Sequence, residues 1–156
     1  MKIIKNKYKL HQEGLTQKSI LFVPTMGGLH KGHCSLIKKA KKFRGKVLVS
    51  IFVNPKQFNN KNDFNKYPRN LNKDLQILKR LKVNYVYIPN KKEIFSLKIR
   101  NKIFLDNFSK KLCGRYRKGH FKGVLNVVNR FLELIKPKLI FLGKKDYQQL
   151  YLIKKH

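Results

Sequence analysis

The sequence predicts an α/β fold: a parallel sheet flanked by helices, in one domain spanning residues 1–156. Short apolar runs alternate with helical patterns, which is the rhythm of a chain that passes repeatedly from strand to covering helix. Val47 to Val53 is a near-continuous apolar run suited to a strand covered on both faces. The segments rich in glycine and polar chemistry follow the strand ends at Val23, Val53 and Leu142, where open α/β sheets collect ligands.

Each element follows from the pattern. Ile20 to Val23 forms a strand that ends at Pro24, and a helix begins after His33 with Leu36, Ile37, Ala40 and Phe43 on one face. Val47 to Val53 is the next strand, broken by Asn54-Pro55. Residues 54–70, polar, asparagine-rich and carrying two prolines, are expected to be a loop. Leu71, Leu75, Leu78 and Leu81 recur at helical spacing, and Tyr85 to Ile88 is a further strand. Residues 89–118 carry the weakest pattern, with Ile103 to Leu105 as a short strand. From Val124, the set Val127, Val128, Phe131, Leu134 and Ile135 defines an amphipathic helix that ends before Pro137. Leu139 to Leu142 is the last strand, and Asp146 caps a final helix through Lys154. No internal repeat or low-complexity linker interrupts this Rossmann-like order.

Composition narrows the function classes. A chain of 156 residues with 42% hydrophobic content can bury a real core, and no apolar run approaches the roughly 18 residues of a membrane span. The first twenty residues are scattered with lysines and lack the apolar segment of a secretory signal, so the expected location is cytoplasmic, with no membrane partner. Cys34 and Cys113 have neither the number nor the spacing of a zinc site or disulfide framework, and no metal-ligating set is expected. The net charge of +31 attracts polyanions on electrostatic grounds. Its bases, however, are overwhelmingly lysines spread over nearly every segment. Lysine and asparagine share A/T-rich codons, so their joint abundance reads as genome bias, and no specific nucleic-acid partner is expected.

The stretch Phe22-Val-Pro-Thr-Met-Gly-Gly-Leu-His-Lys-Gly-His33 carries the chemistry. A strand, a glycine turn and a helix follow in order. Amides at a helix start attract phosphate, glycines permit close approach, and the imidazoles of His30 and His33 can donate to charge developing on a phosphoryl group. Four further segments accompany it: Ser50-Ile-Phe-Val-Asn-Pro-Lys-Gln-Phe58, Tyr67-Pro-Arg69, Gly119-His-Phe-Lys-Gly-Val124 and Phe141-Leu-Gly-Lys-Lys-Asp-Tyr-Gln-Gln149.

The His-x-Gly-His element resembles the signature of the nucleotidyltransferase superfamily. With the four further segments, in this order and spacing, the chain from about residue 20 onward is similar to the pantothenate synthetase (pantoate–β-alanine ligase) family. That resemblance implies an ATP-dependent ligase. Pantoate carboxylate attacks the α-phosphate of ATP and releases pyrophosphate; β-alanine then displaces AMP from pantoyl adenylate to give pantothenate. It places ATP on Met26, Gly27, Gly28, Leu29, His30, Lys31, Gly32 and His33, and on Gly143, Lys144, Lys145 and Asp146. His33 corresponds to the proton-donor histidine, His30 to its phosphate-binding partner, and Lys145 to a lysine that neutralises phosphate. Asp146 corresponds to a carboxylate for ribose, metal or the lysine itself. Gln57 and Gln149 correspond to the pantoate-contacting glutamines, with Thr25 and Met26 beside them. Mg²⁺ on the triphosphate and a homodimer are further implications.

Two positions depart from the family pattern: Lys144, where an acidic residue is usual, and Lys118, where proline is frequent. The family's C-terminal lid domain and its serine-arginine loop are expected to lie past residue 156, which suits a shortened protein and a fragment alike. Two rivals remain open on the residues themselves: another nucleotidyltransferase, and a nonenzymatic polyanion-binding protein. Gln57 and Gln149 weigh against the first, because a phosphorylated acceptor calls for cations at those positions.

Overall fold

A computed structural model of the chain describes residues 1–15, 18–97 and 102–156. Among them, five parallel strands form one sheet in the order β1-β4-β3-β2-β5, with β1 at Lys2–Ile4, β2 at Ile20–Thr25, β3 at Lys46–Ile51, β4 at Tyr85–Tyr87 and β5 at Leu139–Ile140. The helices are α1 (Lys7–Gln12), α2 (Lys31–Ala40), α3 (Lys61–Lys66), α4 (Leu71–Arg80), α5 (Lys91–Ser96), α6 (Cys113–Tyr116), α7 (His120–Ile135) and α8 (Tyr147–Lys155). The parallel α/β architecture expected from the sequence is the one observed.

Alternation along the central strands divides the core into two layers. Ile20, Phe22 and Leu48 join Val124, Val127, Val128 and Phe131 of α7 on one face. Leu21, Val23, Val47 and Val49 join Ile37 of α2 and Leu78 of α4 on the other. Phe131 is the aromatic centre of the first layer. Its ring lies 5.6 Å from that of Phe22, 6.2 Å from Phe52 and 6.1 Å from Tyr87, all tilted or edge-on. Arg130, on the same helix, donates to the carbonyls of Ile94, Phe95 and Leu97 and so ties α5 to α7.

The order of strands creates the crevice. The chain moves outward from β2 through β3 to β4, then returns across the sheet to place β5 on the other side of β2, so the direction of winding reverses between β2 and β5. Pro24 marks the place. β5 pairs with β2 only at Leu21↔Leu139 and Phe22↔Ile140, whereas β3 follows β2 as far as Thr25↔Ile51. The Phe22 carbonyl accepts from Phe141 on the β5 side, so Pro24, two residues on, turns its missing N–H to that same side, beyond the end of β5. The strand therefore continues through Pro24 instead of stopping at Val23, and the unpaired side opens as a cleft.

Several expected boundaries are corrected. β1 and α1 lie in a stretch whose scattered lysines hid a three-residue edge strand and a helix with one buried residue, Leu10. Residues 54–70 are not all loop: a 3₁₀ turn at Pro55–Gln57 and α3 interrupt them, each capped by an asparagine side chain, Asn54 or Asn60. Phe43 lies past the end of α2 and packs edge-on against Phe141 at 5.5 Å. Ile103–Leu105 is not a strand. α7 begins at His120, four residues earlier than its apolar pattern. Asp146 stands at the start of α8 but makes no side-chain cap bond.

Candidate active site

Three of the sequence segments meet at the carboxyl ends of β2, β3 and β5. They border two adjoining cavities of about 530 and 910 Å³, which share Met26, Gln57, Tyr67, Lys145, Asp146 and Gln149. His30, Gly32, His33, Gly143 and Lys144 border the smaller one.

The turn after β2 is held from inside. Thr25 donates its hydroxyl to the Ser50 carbonyl at 2.7 Å and accepts the Gly27 amide at 3.2 Å. Asp74, buried on α4, accepts the amides of Gly28 at 2.9 Å and Leu29 at 2.8 Å. Gly27 has φ +82°, and a Cβ there would stand 2.9 Å from the Asp74 carboxylate, so both backbone shape and space require glycine. Leu29 points into the core. Gly28, Leu29 and Lys31 border neither of the two cavities.

The two imidazoles cap α2 reciprocally. His30 Nδ1 accepts the Gly32 amide at 3.0 Å, and His33 Nδ1 accepts the His30 amide at 3.4 Å, with the rings 4.2 Å apart. This geometry assigns the proton of each neutral ring to Nε2, leaving an Nε2–H donor on each for a ligand. Burial, and then the neighbouring His30, lower the His33 pKa, against smaller opposing effects of Asp74 and Asp146. Four amides of this turn are already engaged within the protein: those of Gly28 and Leu29 by Asp74, and those of His30 and Gly32 by the imidazoles. The ring Nε2–H donors face the same cavity as the lysines opposite.

Those lysines follow β5. Gly143 leads into a 3₁₀ turn at Lys144–Asp146, and all four residues border the smaller cavity. The adjacent glutamines differ in their contacts, although both border the larger cavity. Gln148 is buried and committed: its amide donates to the carbonyls of Phe108 at 2.8 Å and Lys111 at 2.7 Å and accepts from the Cys113 amide at 3.0 Å. Gln149 borders both cavities.

Gln57 is buried in the turn after β3. Its Nε2 donates to Met26 Sδ at 2.8 Å, and its Oε1 accepts from Asn54 at 3.2 Å. The buried His120 ring bonds the Gln57 carbonyl at 2.7 Å through Nδ1. Burial lowers the His120 pKa, the bond to Gln57 opposes this, Arg117 lowers it further and Asp146 raises it. Beside these polar groups, Val124, Val127, Val128 and Phe131 of α7, with Phe52, form an apolar wall of the smaller cavity.

Residues that sequence reasoning left without a role complete the site. Asp74 occupies an inward position of the pattern Leu71, Leu75, Leu78, three residues after the first leucine. A carboxylate there was a readable signal of buried amide donors. Tyr67 borders both cavities, and burial, reinforced by Asp74, raises its pKa. Asn54, His120 and Gly123 support Gln57. Among the described residues no group of three or more His, Cys, Asp or Glu side chains could hold a metal, and no helix is long and apolar enough to cross a membrane.

Residues 2–156 match the family model described as pantoate-beta-alanine ligase. The chain belongs to the pantoate-β-alanine ligase family. A pantothenate synthetase of Francisella tularensis subsp. novicida is 48% identical over 155 residues, covering 97% of this chain and 58% of that protein. A crystal structure of pantoate-beta-alanine ligase from Francisella tularensis, complexed with beta-gamma ATP and beta-alanine, superposes with a TM-score of 0.92 at 46% identity. It covers 99% of this chain and 61% of that one. Pantothenate synthetase from Thermus thermophilus gives 0.91 at 33% identity, over 99% and 56%. The chain thus spans about three-fifths of the length of these ligase relatives.

Proposed function

We propose that this site adenylates pantoate with ATP and passes the pantoyl adenylate to β-alanine, forming pantothenate with release of pyrophosphate and AMP. The observation that carries this reading is one cleft holding both kinds of recognition. Cationic and imidazole donors stand on the turns after β2 and β5, and two neutral amides, Gln57 and Gln149, stand beside a valine and phenylalanine wall. A triphosphate suits the first set. A branched hydroxy acid suits the second, because amides can donate to its carboxylate and accept from its hydroxyls while the wall takes its methyl groups. An acceptor bearing its own phosphate would meet no cation at Gln57 and Gln149, which disfavours the other nucleotidyltransferases.

In this reading the pantoate carboxylate oxygen attacks the α-phosphorus, and the bond to the pyrophosphate oxygen breaks. The Nε2–H groups of His30 and His33 and the Lys145 ammonium stabilise the charge that gathers on the phosphoryl oxygens. Both steps depend on holding the reactants in line. The β-alanine amine then attacks the acyl carbon, and AMP leaves. Asp146 suits Mg²⁺: it borders both cavities without a cap bond, and a single carboxylate with phosphate oxygens and water is a usual Mg²⁺ set. Asp74 does not fit, since both its oxygens accept amides. Bound there, the ion would screen the triphosphate. The free thiols of Cys34 and Cys113 and the use of ATP accord with a cytoplasmic location. The homodimer implied by the resemblance is open to sedimentation analysis.

The test is pyrophosphate release from ATP by the purified protein with pantoate and without it. Release that requires pantoate, followed by pantothenate formation on adding β-alanine, is the expected result. Release indifferent to pantoate would overturn the reading.

A further inference from the structure

The Gly119-His-Phe-Lys-Gly-Val124 segment makes no step of the reaction proposed above, yet it lies directly against Gln57. The turn that carries Gln57 is weakly held by itself. It is three residues long; its backbone–backbone bonds, Gln57 to Asn54 and Phe58 to Pro55, are both 3.4 Å, and its one shorter bond, from the Lys56 amide at 3.1 Å, goes to the Asn54 side chain. Besides the Gln57 bond to Met26, its anchors come from α7. Asn54 Nδ2 donates to the Gly123 carbonyl at 3.0 Å. Gly123 itself has no room for a side chain, since a Cβ there would collide with the Lys56 carbonyl, so helix and turn meet backbone to backbone. The shortest of these bonds is His120 Nδ1 to the Gln57 carbonyl, at 2.7 Å.

We infer that His120 is a positioning residue, whose Nδ1–H fixes the Gln57 backbone and so aims the Gln57 amide into the cleft. A carbonyl can only accept, so Nδ1 carries the proton and Nε2 of the neutral ring is bare. The ring acts through Gln57, and the part of Gln57 in substrate recognition rests on the pantoate reading above. The geometry also separates Nδ1 from Nε2. An asparagine amide nitrogen stands where Nδ1 does, whereas a glutamine amide nitrogen reaches the place of Nε2.

The test compares His120→Asn, His120→Gln and His120→Leu with the parent protein. Calorimetry reads ATP and pantoate affinity, and nuclear magnetic resonance reads the Gln57 side-chain amide signals without ligand. His120→Asn should keep pantoate affinity within about threefold, while His120→Gln and His120→Leu weaken it by about tenfold, the loss expected for one buried hydrogen bond. ATP affinity should stay within about twofold in all three, because the ATP donors lie on other turns. Rescue by glutamine in place of asparagine would assign the role to Nε2 and overturn the inference, as would unchanged pantoate affinity in all three variants. Equal loss of both ligands would reduce His120 to a folding residue. If the parent protein takes up no pantoate, the substrate reading fails and the Gln57 signals decide the inference. Displacement in the glutamine and leucine variants but not in the asparagine variant supports it, and no displacement in any variant overturns it.

Discussion

Asp74 accepts the amide of Gly28 at 2.9 Å across 46 residues of sequence, joining the fourth helix to the turn that presents both histidines. The bond helps to fix the shape of that turn: a buried carboxylate satisfies two amides that a left-handed glycine backbone turns inward. Asp74→Asn retains one acceptor and sets an amide donor against a second donor. It should lower unfolding free energy by about 1–3 kcal/mol and weaken ATP binding. Chemical denaturation and calorimetry check this. Unchanged ATP affinity in a destabilised variant would show that the turn holds its shape without Asp74.

His33 shares its cap with His30 by a long bond, so its contribution to folding is small beside its proposed part in adenylation. His33→Ala should reduce pantoate-dependent pyrophosphate release about 100-fold or more, as loss of a charge-stabilising donor does elsewhere. Its melting temperature should fall only slightly. Parallel losses in both measurements would make His33 a structural residue.

Three glutamines give three different outcomes. Gln149→Ala should weaken pantoate binding by about 1–3 kcal/mol without affecting stability, because its side chain borders both cavities and among the described residues none bonds its amide. Gln57→Ala should lose both, since its amide also links Met26 to Asn54. Gln148→Ala should lose stability and leave pantoate affinity unchanged, since its three bonds all fasten the segment from Phe108 to Cys113. Calorimetry beside thermal melts separates the three. A fall in pantoate affinity for Gln148→Ala alone would reverse the assignment.

The contrast between Gln148 and Gln149 shows what a sequence discloses and what it hides. Periodicity revealed β2, β3, β4 and α7, because those elements bury apolar side chains at strand or helix spacing, and the motifs placed Gln57, Lys145 and Gln149 at one cleft. It concealed β1 and α1, which bury almost nothing and owe their places to β4 and to Leu10. It also hid the supports. His120 and Gly123 work through backbone groups far away in the chain, and a residue's own sequence neighbours say nothing about a carbonyl 63 positions distant; Asp74 alone left a sign, as a carboxylate on the buried side of its helix. Pro24 misled for a related reason: a proline breaks a strand only where its missing amide faces a partner, and here that side is open.

Stability should depend on pH through the imidazoles of His33, half-buried, and His120, buried. Burial lowers the pKa of His33 and of His120 below the ordinary 6.5. As the pH falls, the unfolded chain binds these two protons first, so stability drops between 6.5 and the lowered native values and does not change on their account above 6.5. Protonating His33 also turns Nδ1 from acceptor to donor and removes its bond with the His30 amide. The double variant His33→Asn, His120→Asn keeps an acceptor at the first position and a donor at the second while removing both titrations. Its melting temperature should therefore vary less than the parent's between about pH 5 and pH 7, and the two curves should run parallel above that range. Equal slopes below pH 6.5 would mean that neither imidazole resists its proton in the folded protein.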